Sequence, residues 1–171
     1  RAFDELMERW EIEKLKTIGD GYMAASSVPH PIEHHALRCV LAALQMRDCV
    51  EEAIRAGRSP LQGIRIGIHS GPVVAGVIGQ HRFAFDIWGD TVNTASRLES
   101  HGLSGRVNVS LTTWRAVAPW TVGEARGAVS AKGKGELEMF FVDDVRLDAL
   151  EAMGWAERWA LPLPRIESTA P

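Results

Sequence analysis

Apolar positions recur at helical spacing near the start of the chain, where Phe3, Leu6, Met7 and Trp10 predict an amphipathic helix over residues 2–10. From Ile12 to Ile18 the pattern becomes strict alternation, which predicts a strand with Ile12, Lys14, Lys16 and Ile18 on one face. Gly19-Asp20-Gly21 is turn chemistry, and Tyr22 to Ser26 returns as a second strand, so Asp20 belongs at or beside a hairpin tip. Pro29 and Pro31 mark a loop and a helix entry. That helix runs to about Ala56, where Gly57 ends it, with Cys39, Ala43, Met46, Val50 and Ala53 as its apolar stripe. Two strands, Gly63 to His69 and Pro72 to Ile78, flank Ser70-Gly71, and Phe83 to Ile87 forms another. A helix from Asp90 to about Ser100 follows and is stopped by Gly102. Next come a short strand from Arg106 to Ser110, a helix from Leu111 to Val117 and a hydrophobic strand from Leu137 to Val142. Asp144 to Trp159 reads as a final helix, and the tail Leu161 to Pro171, with Pro162 and Pro164, as irregular.

Helices mixed with hairpins in this way predict an α+β fold, an antiparallel-rich sheet with helices packed on it. The 171 residues suffice for about one domain with a substantial core. A net charge of −3 argues against a general binder of nucleic acid or anionic membrane, so any site for a polyanion needs locally gathered cations. The longest apolar runs, such as Cys39 to Leu44, fall far short of the ~20 residues a membrane span needs, and no signal peptide opens the chain. Cys39 and Cys49 share one helix, about 15 Å apart at its usual rise, too far to bridge. They read as reduced thiols of a cytoplasmic domain, and their spacing is not that of a zinc site.

The chemistry concentrates in one stretch, Phe83-Ala84-Phe85-Asp86-Ile87-Trp88-Gly89-Asp90-Thr91-Val92-Asn93-Thr94-Ala95-Ser96-Arg97-Leu98. Asp90 reads as an N-cap, and the helix it opens carries Asn93 and Arg97 four residues apart on one face. Val92, Ala95 and Leu98 fall on another side and can pack on a sheet. An amide and a guanidinium in the first turns of a helix suit a phosphate, and Asp86, just before the turn, is an acceptor able to read a base or a sugar. Taken alone, this pattern also describes a surface helix capped by Asp90, with Arg97 paired to Glu99 or a neighbouring acid.

The whole stretch resembles the signature of the class III nucleotidyl cyclases, the adenylyl and guanylyl cyclase family. So do Glu13-Lys14-Leu15-Lys16-Thr17-Ile18-Gly19-Asp20-Gly21-Tyr22-Met23, Arg65-Ile66-Gly67-Ile68-His69-Ser70-Gly71-Pro72-Val73 and Lys132-Gly133-Lys134-Gly135, in family order. The resemblance implies a ferredoxin-like βαββαβ core, similar to a polymerase palm, with a small C-terminal subdomain. It implies an adenylyl cyclase that converts ATP to 3′,5′-cyclic AMP and pyrophosphate, using magnesium or manganese, two ions per complete site, in a head-to-tail homodimer. On that resemblance Asp20 matches a metal-binding aspartate. Lys16 and Asp86 match the pair that reads adenine; guanine-selective relatives carry Glu and usually Cys at those places. Asn93 matches the residue that orients the ribose and Arg97 the one that neutralises the pentavalent phosphorus. Lys132 matches the lysine on the terminal phosphates, and Arg65 an arginine that touches the polyphosphate from the metal-bearing subunit; Arg65 reads equally as an outward-facing strand residue. Lys134 reads as a solvated turn lysine, His69 as a hydrogen-bonded structural histidine and His34-His35 as helix surface. The six tryptophans read as core or interface.

One departure matters. The family's first metal aspartate lies on an opening strand some forty residues before the position of Asp20, whereas this sequence starts nineteen residues before it. The expectation is a catalytic domain over residues 1–145 lacking that strand, the helix after it and the first metal ligand, then a C-terminal helix and tail over 146–171. In such a sheet the opening strand is central, so its loss should leave interior strands with unpaired buried amides. A sequence forming part of a longer protein, with a sensor or membrane module attached, fits these features better than a degraded enzyme, because Lys16, Asp20, Asp86, Asn93, Arg97 and Lys132 are all present. The rival readings are a guanylyl cyclase and a non-catalytic ATP-binding regulatory module.

Overall fold

The computed structural model describes residues 1–167. Helix α1 (Ala2–Trp10) leads into a hairpin of β1 (Glu13–Ile18) and β2 (Gly21–Ala25), followed by the long helix α2 (His35–Arg55). Strands β3 (Arg65–Ile68), β4 (Val74–Ile78) and β5 (Ala84–Trp88) precede helix α3 (Asp90–Ser100). Strand β6 (Arg106–Ser110), helix α4 (Leu111–Val117) and a 3-10 turn (Ala118–Trp120) lead to the long strands β7 (Thr121–Ala131) and β8 (Gly135–Val145). Two short helices, α5 (Leu147–Ala152) and α6 (Ala156–Trp159), complete the order.

The main sheet runs β3-β6-β8-β7, parallel between β3 and β6 and antiparallel elsewhere. The β1-β2 and β4-β5 hairpins are separate two-stranded ladders. The core lies between this sheet and the pair α1 and α2, where Leu6, Trp10, Leu41 and Leu44 meet Val107, Val109 and Val142. Strands β2 and β3 each have one partner and are half-exposed along most of their length.

Four local expectations are corrected. A bulge in β1 between Lys14 and Lys16 breaks the shared face: Ile12 is buried while Ile18 is largely exposed. Helix α2 is buried on more than one stripe, with Leu37, Val40, Leu41 and Leu44 inside and Cys39 and Met46 at the margins, because it is covered by α1 as well as by the sheet. The helix expected over 144–159 is strand to Val145 and then two helices interrupted at Gly154, with Leu150 in the core. Strand β7 went unanticipated; the tail shows no regular structure over 161–167, and residues 168–171 lie outside the described residues. Both cysteines are free thiols.

Helix α3 is set by a close approach. A Cβ on Gly67 of β3 would stand 2.2 Å from Glu99 N and 2.7 Å from Ala95 O, so only glycine lets this helix lie on the strand. The Asn108 amide of β6 donates to Leu98 O at 2.9 Å and fixes the other side. Leu98 and Thr94 are buried, Val92 and Ala95 half-buried, and Asn93 faces solvent.

Candidate active site

Gly89 occupies the N-cap of α3 and Asp90 its first helical position, with no capping hydrogen bond from the Asp90 side chain. The expected cap is thus displaced by one residue. The Asp90 carboxylate instead contacts the Lys134 ammonium. Asn93 and Arg97 follow one turn apart. Among the described residues Arg97 has no acidic partner, and the anticipated pairing with Glu99 does not form, because Glu99 is held by Arg65 at 3.0 Å. Arg65 stands on β3 with its side chain about half exposed.

The β1 bulge re-aims Lys16 toward β5. Its Nζ stands 2.6 Å from Asp86 Oδ2, although seventy positions separate the two in sequence. Asp86 is 6% exposed, and its other oxygen accepts the Ile87 N–H at 2.8 Å. The Lys16 ammonium first, and that N–H second, hold its carboxyl below the usual carboxylate range. The carboxylate is therefore charged and oriented, with Lys16 reaching it from the more open side. Asp20 is exposed in the turn of the same hairpin and makes no side-chain hydrogen bond or ion pair among the described residues.

A second cluster, which the sequence did not signal, braces this hairpin. Asp4 of α1 pairs with Lys14 at 2.8 Å and accepts the Tyr22 hydroxyl at 2.8 Å. These contacts pull the Asp4 carboxyl down to about 2 and push the Tyr22 phenol up, the latter chiefly through burial. Its members are neither close in sequence nor on one element, so no local pattern could announce it.

Lys132 is exposed at the tip of the turn between β7 and β8. Lys134 differs from expectation: its side chain is only 14% exposed. Beside it, a pocket of about 440 Å³ is lined by the β3–β4 loop from His69 to Val74, by Trp88 to Thr91, and by Thr112. His69 bonds Ser110 Oγ through Nδ1 at 2.7 Å, the structural role expected of it. Burial, then the nearby Lys134, lowers its pKa below the ordinary imidazole value. His34 and His35 are exposed at the start of α2. Among the tryptophans, Trp10 is in the core, Trp114 stacks on Phe140 at 5.4 Å, and Trp88 borders the pocket.

No group of three or more His, Cys, Asp or Glu among the described residues could hold a metal ion. A lone carboxylate such as Asp20 still suits magnesium, which takes one or two carboxylates and fills its shell with water and substrate phosphate. No helix is long and apolar enough to cross a membrane among the described residues.

A palm-like α+β fold carrying this series of motifs defines a nucleotidyl cyclase domain of class III. The family described as the adenylate and guanylate cyclase catalytic domain matches residues 1–144, and the chain belongs to it. It is 44% identical over 142 residues to the guanylate cyclase soluble subunit beta-2 of Rattus norvegicus, covering 82% of this chain and 21% of that protein. An adenylate cyclase of Mycobacterium tuberculosis is 38% identical over 141 residues, covering 82% of this chain and 32% of the relative. The chain thus spans about a fifth to a third of the length of these relatives. Among solved structures, the adenylyl cyclase CyaB from P. aeruginosa superposes with TM-score 0.77 at 26% identity, covering 84% of this chain and 78% of that one. The guanylate cyclase domain of RhGC from Catenaria anguillulae in complex with GTP gives 0.74 at 31% identity, covering 84% and 79%. The catalytic core of a rhodopsin-guanylyl cyclase with converted specificity, in complex with ATPalphaS, gives 0.72 at 32% identity, covering 83% and 77%. The domain is a cyclase catalytic domain whose relatives include both adenylyl and guanylyl types.

Proposed function

We propose that this domain is an adenylyl cyclase that forms 3′,5′-cyclic AMP and pyrophosphate from ATP between two copies arranged head to tail. The observation that carries the adenine assignment is the Lys16–Asp86 pair. Adenine offers an amino donor beside a ring-nitrogen acceptor, and an oriented carboxylate next to an ammonium complements both. In the reaction the ribose 3′-oxygen forms a bond to the α-phosphorus, and the bond from that phosphorus to the bridging oxygen of pyrophosphate breaks. Asn93 orients the ribose, Arg97 neutralises charge at phosphorus, and Lys132 holds the terminal phosphates as they leave. Arg65, released from an exposed ion pair worth at most about 1 kcal/mol, meets the polyphosphate from the opposite copy. Asp20 would hold magnesium or manganese through its carboxylate. When bound, such an ion lowers the pKa of the attacking hydroxyl and absorbs phosphate charge.

Pairing of two copies is supported by large apolar side chains left in solvent around the site. Val74, Val77 and Ile78 of β4, Phe83 before β5 and Ile18 at the end of β1 are 50–77% exposed. The test mixes two variants, Asp20→Ala and Arg97→Ala, each inactive alone. Random pairing rebuilds one intact site in every mixed dimer, so about a quarter of wild-type cyclic AMP formation should return. No recovery on mixing, with both proteins folded, would refute the shared site.

A guanylyl cyclase is the reading favoured by the 44% identity to the beta-2 subunit. The solitary Asp20 favours another, a non-catalytic nucleotide-binding module that regulates a partner cyclase. Turnover of ATP and GTP measured side by side in manganese separates all three.

A further inference from the structure

The turn between β7 and β8 carries two lysines with opposite fates. Ala131 and Gly135 are ladder partners, and the Lys134 N–H donates to Ala131 O at 2.9 Å. Gly133 has φ of +76°, the left-handed value that the third residue of a type II turn demands. That geometry leaves Lys132 exposed at the tip. Lys134 folds back instead, 14% exposed, with its ammonium on Asp90 at the first position of α3. Asp90 has no other side-chain partner among the described residues, and its carboxylate is otherwise open to solvent.

We propose that Lys134 is a positioning residue, latching the β7–β8 turn through Asp90 to the helix end that presents Asn93 and Arg97. The inference rests on the cyclase reading above, in which Lys132 grips the phosphates. Two residues of chain span at most about 7 Å, so anchoring Lys134 confines Lys132 to the neighbourhood of the α3 entry. Asn93 lies three residues beyond Asp90, about one helical turn, so the same anchor sets Lys132 relative to the ribose-orienting amide. The contact has a second consequence. An unpaired carboxylate at the start of α3 would repel a polyphosphate arriving beside Asn93, and the Lys134 charge cancels it. Lys134 thereby acts on the triphosphate end of the substrate and leaves base choice to Lys16 and Asp86. Its own ammonium is committed to Asp90 and does not touch substrate.

The first arm of the test needs no turnover. Amine-selective acylation read by mass spectrometry should modify Lys134 about tenfold more slowly than Lys132, and Asp90→Asn should bring the two rates together. The second arm is kinetic. Lys134→Met should raise KM for the nucleotide about tenfold, the loss of one charge-assisted contact, and Asp90→Asn should raise it less, because it removes the repelling carboxylate together with the latch; each should show a smaller fall in kcat. The ATP to GTP preference should not change. Lys134→Arg should stay within about threefold of wild type, and exchanging the pair, Asp90→Lys with Lys134→Asp, should recover most of the loss. Equal acylation of the two lysines in the wild-type protein overturns the proposal. So does a protected Lys134 whose Met variant binds and turns over nucleotide normally, or a changed base preference. If the wild-type protein cyclises neither ATP nor GTP, the cyclase reading fails. The latch is then judged by the same tenfold loss in affinity for a non-cyclisable triphosphate analogue, and its absence refutes it.

Discussion

Replacing Lys16 by Glu together with Asp86 by Cys should move nucleotide preference from ATP toward GTP, and the geometry fixes the order of the intermediates. Lys16 Nζ stands 2.6 Å from Asp86 Oδ2, while Asp86 Oδ1 is committed to the Ile87 N–H, so the edge shared by the two side chains is where a base must be read. Adenine presents a donor and an acceptor to that edge. Guanine presents a ring N–H and an amine beside a carbonyl, a pattern that needs an acceptor where Lys16 offers a donor. Lys16→Glu alone would put two carboxylates in contact at a carboxylate that is 6% exposed, and one of them would have to take up a proton. The single variant should therefore be the poorest enzyme on either nucleotide, and the double variant should regain activity on GTP. Two charge-assisted hydrogen bonds are at stake, each worth about 1.5–3 kcal/mol, so the ratio of kcat/KM values should swing by roughly 10²- to 10⁴-fold. Steady-state formation of cyclic AMP and cyclic GTP by the wild-type and three variant proteins measures it. A double variant whose ATP to GTP ratio stays within threefold of wild type would refute the assignment of these residues to base reading.

Two further outcomes test the scaffold. Gly67→Ala places a methyl group against backbone atoms of α3 that cannot swing aside, at 2.2 Å from Glu99 N. Overpacking of this kind costs about 1–3 kcal/mol, or roughly 2–12 °C in melting temperature for a chain of this size. Cyclase activity should fall further than stability does, because Asn93 and Arg97 ride on the displaced helix; an unchanged melting curve would contradict the packing. His69 should titrate below the ordinary imidazole value in a proton NMR titration, and Lys134→Met should raise its pKa by removing the second of its two causes. Because the folded form disfavours the charged ring, the linked stability is complete above the unfolded pKa of about 6.5 and is lost as pH falls through the lower folded value. A His69 pKa at or above the ordinary value would sink that account.

Much of the candidate site's local geometry was legible before any fold was known. The Asn93–Arg97 spacing needs only the helical repeat to put both groups on one face, and the Gly-Asp-Gly turn needs only glycine chemistry to place Asp20 at a hairpin tip. The exchange of alternation for helical periodicity located α1, α2, α3, β6 and α4 with little error. Strand β7 escaped because its two glycines and its mostly exposed residues carry no apolar alternation, with only Thr121 and Ala131 buried at its ends. It is a strand because β8 supplies a ladder along its length, which is a non-local fact.

Residue type and local period, both written in neighbouring positions, were enough to pick out the candidate side chains. Tertiary structure decided which of them meet. A one-residue bulge turned Lys16 toward Asp86, a bare Gly67 let α3 settle on β3, and a turn folded Lys134 back onto Asp90. Each depends on strand register or on the close approach of two backbones. Those quantities come from packing the whole chain at once, and no window of adjacent residues contains them.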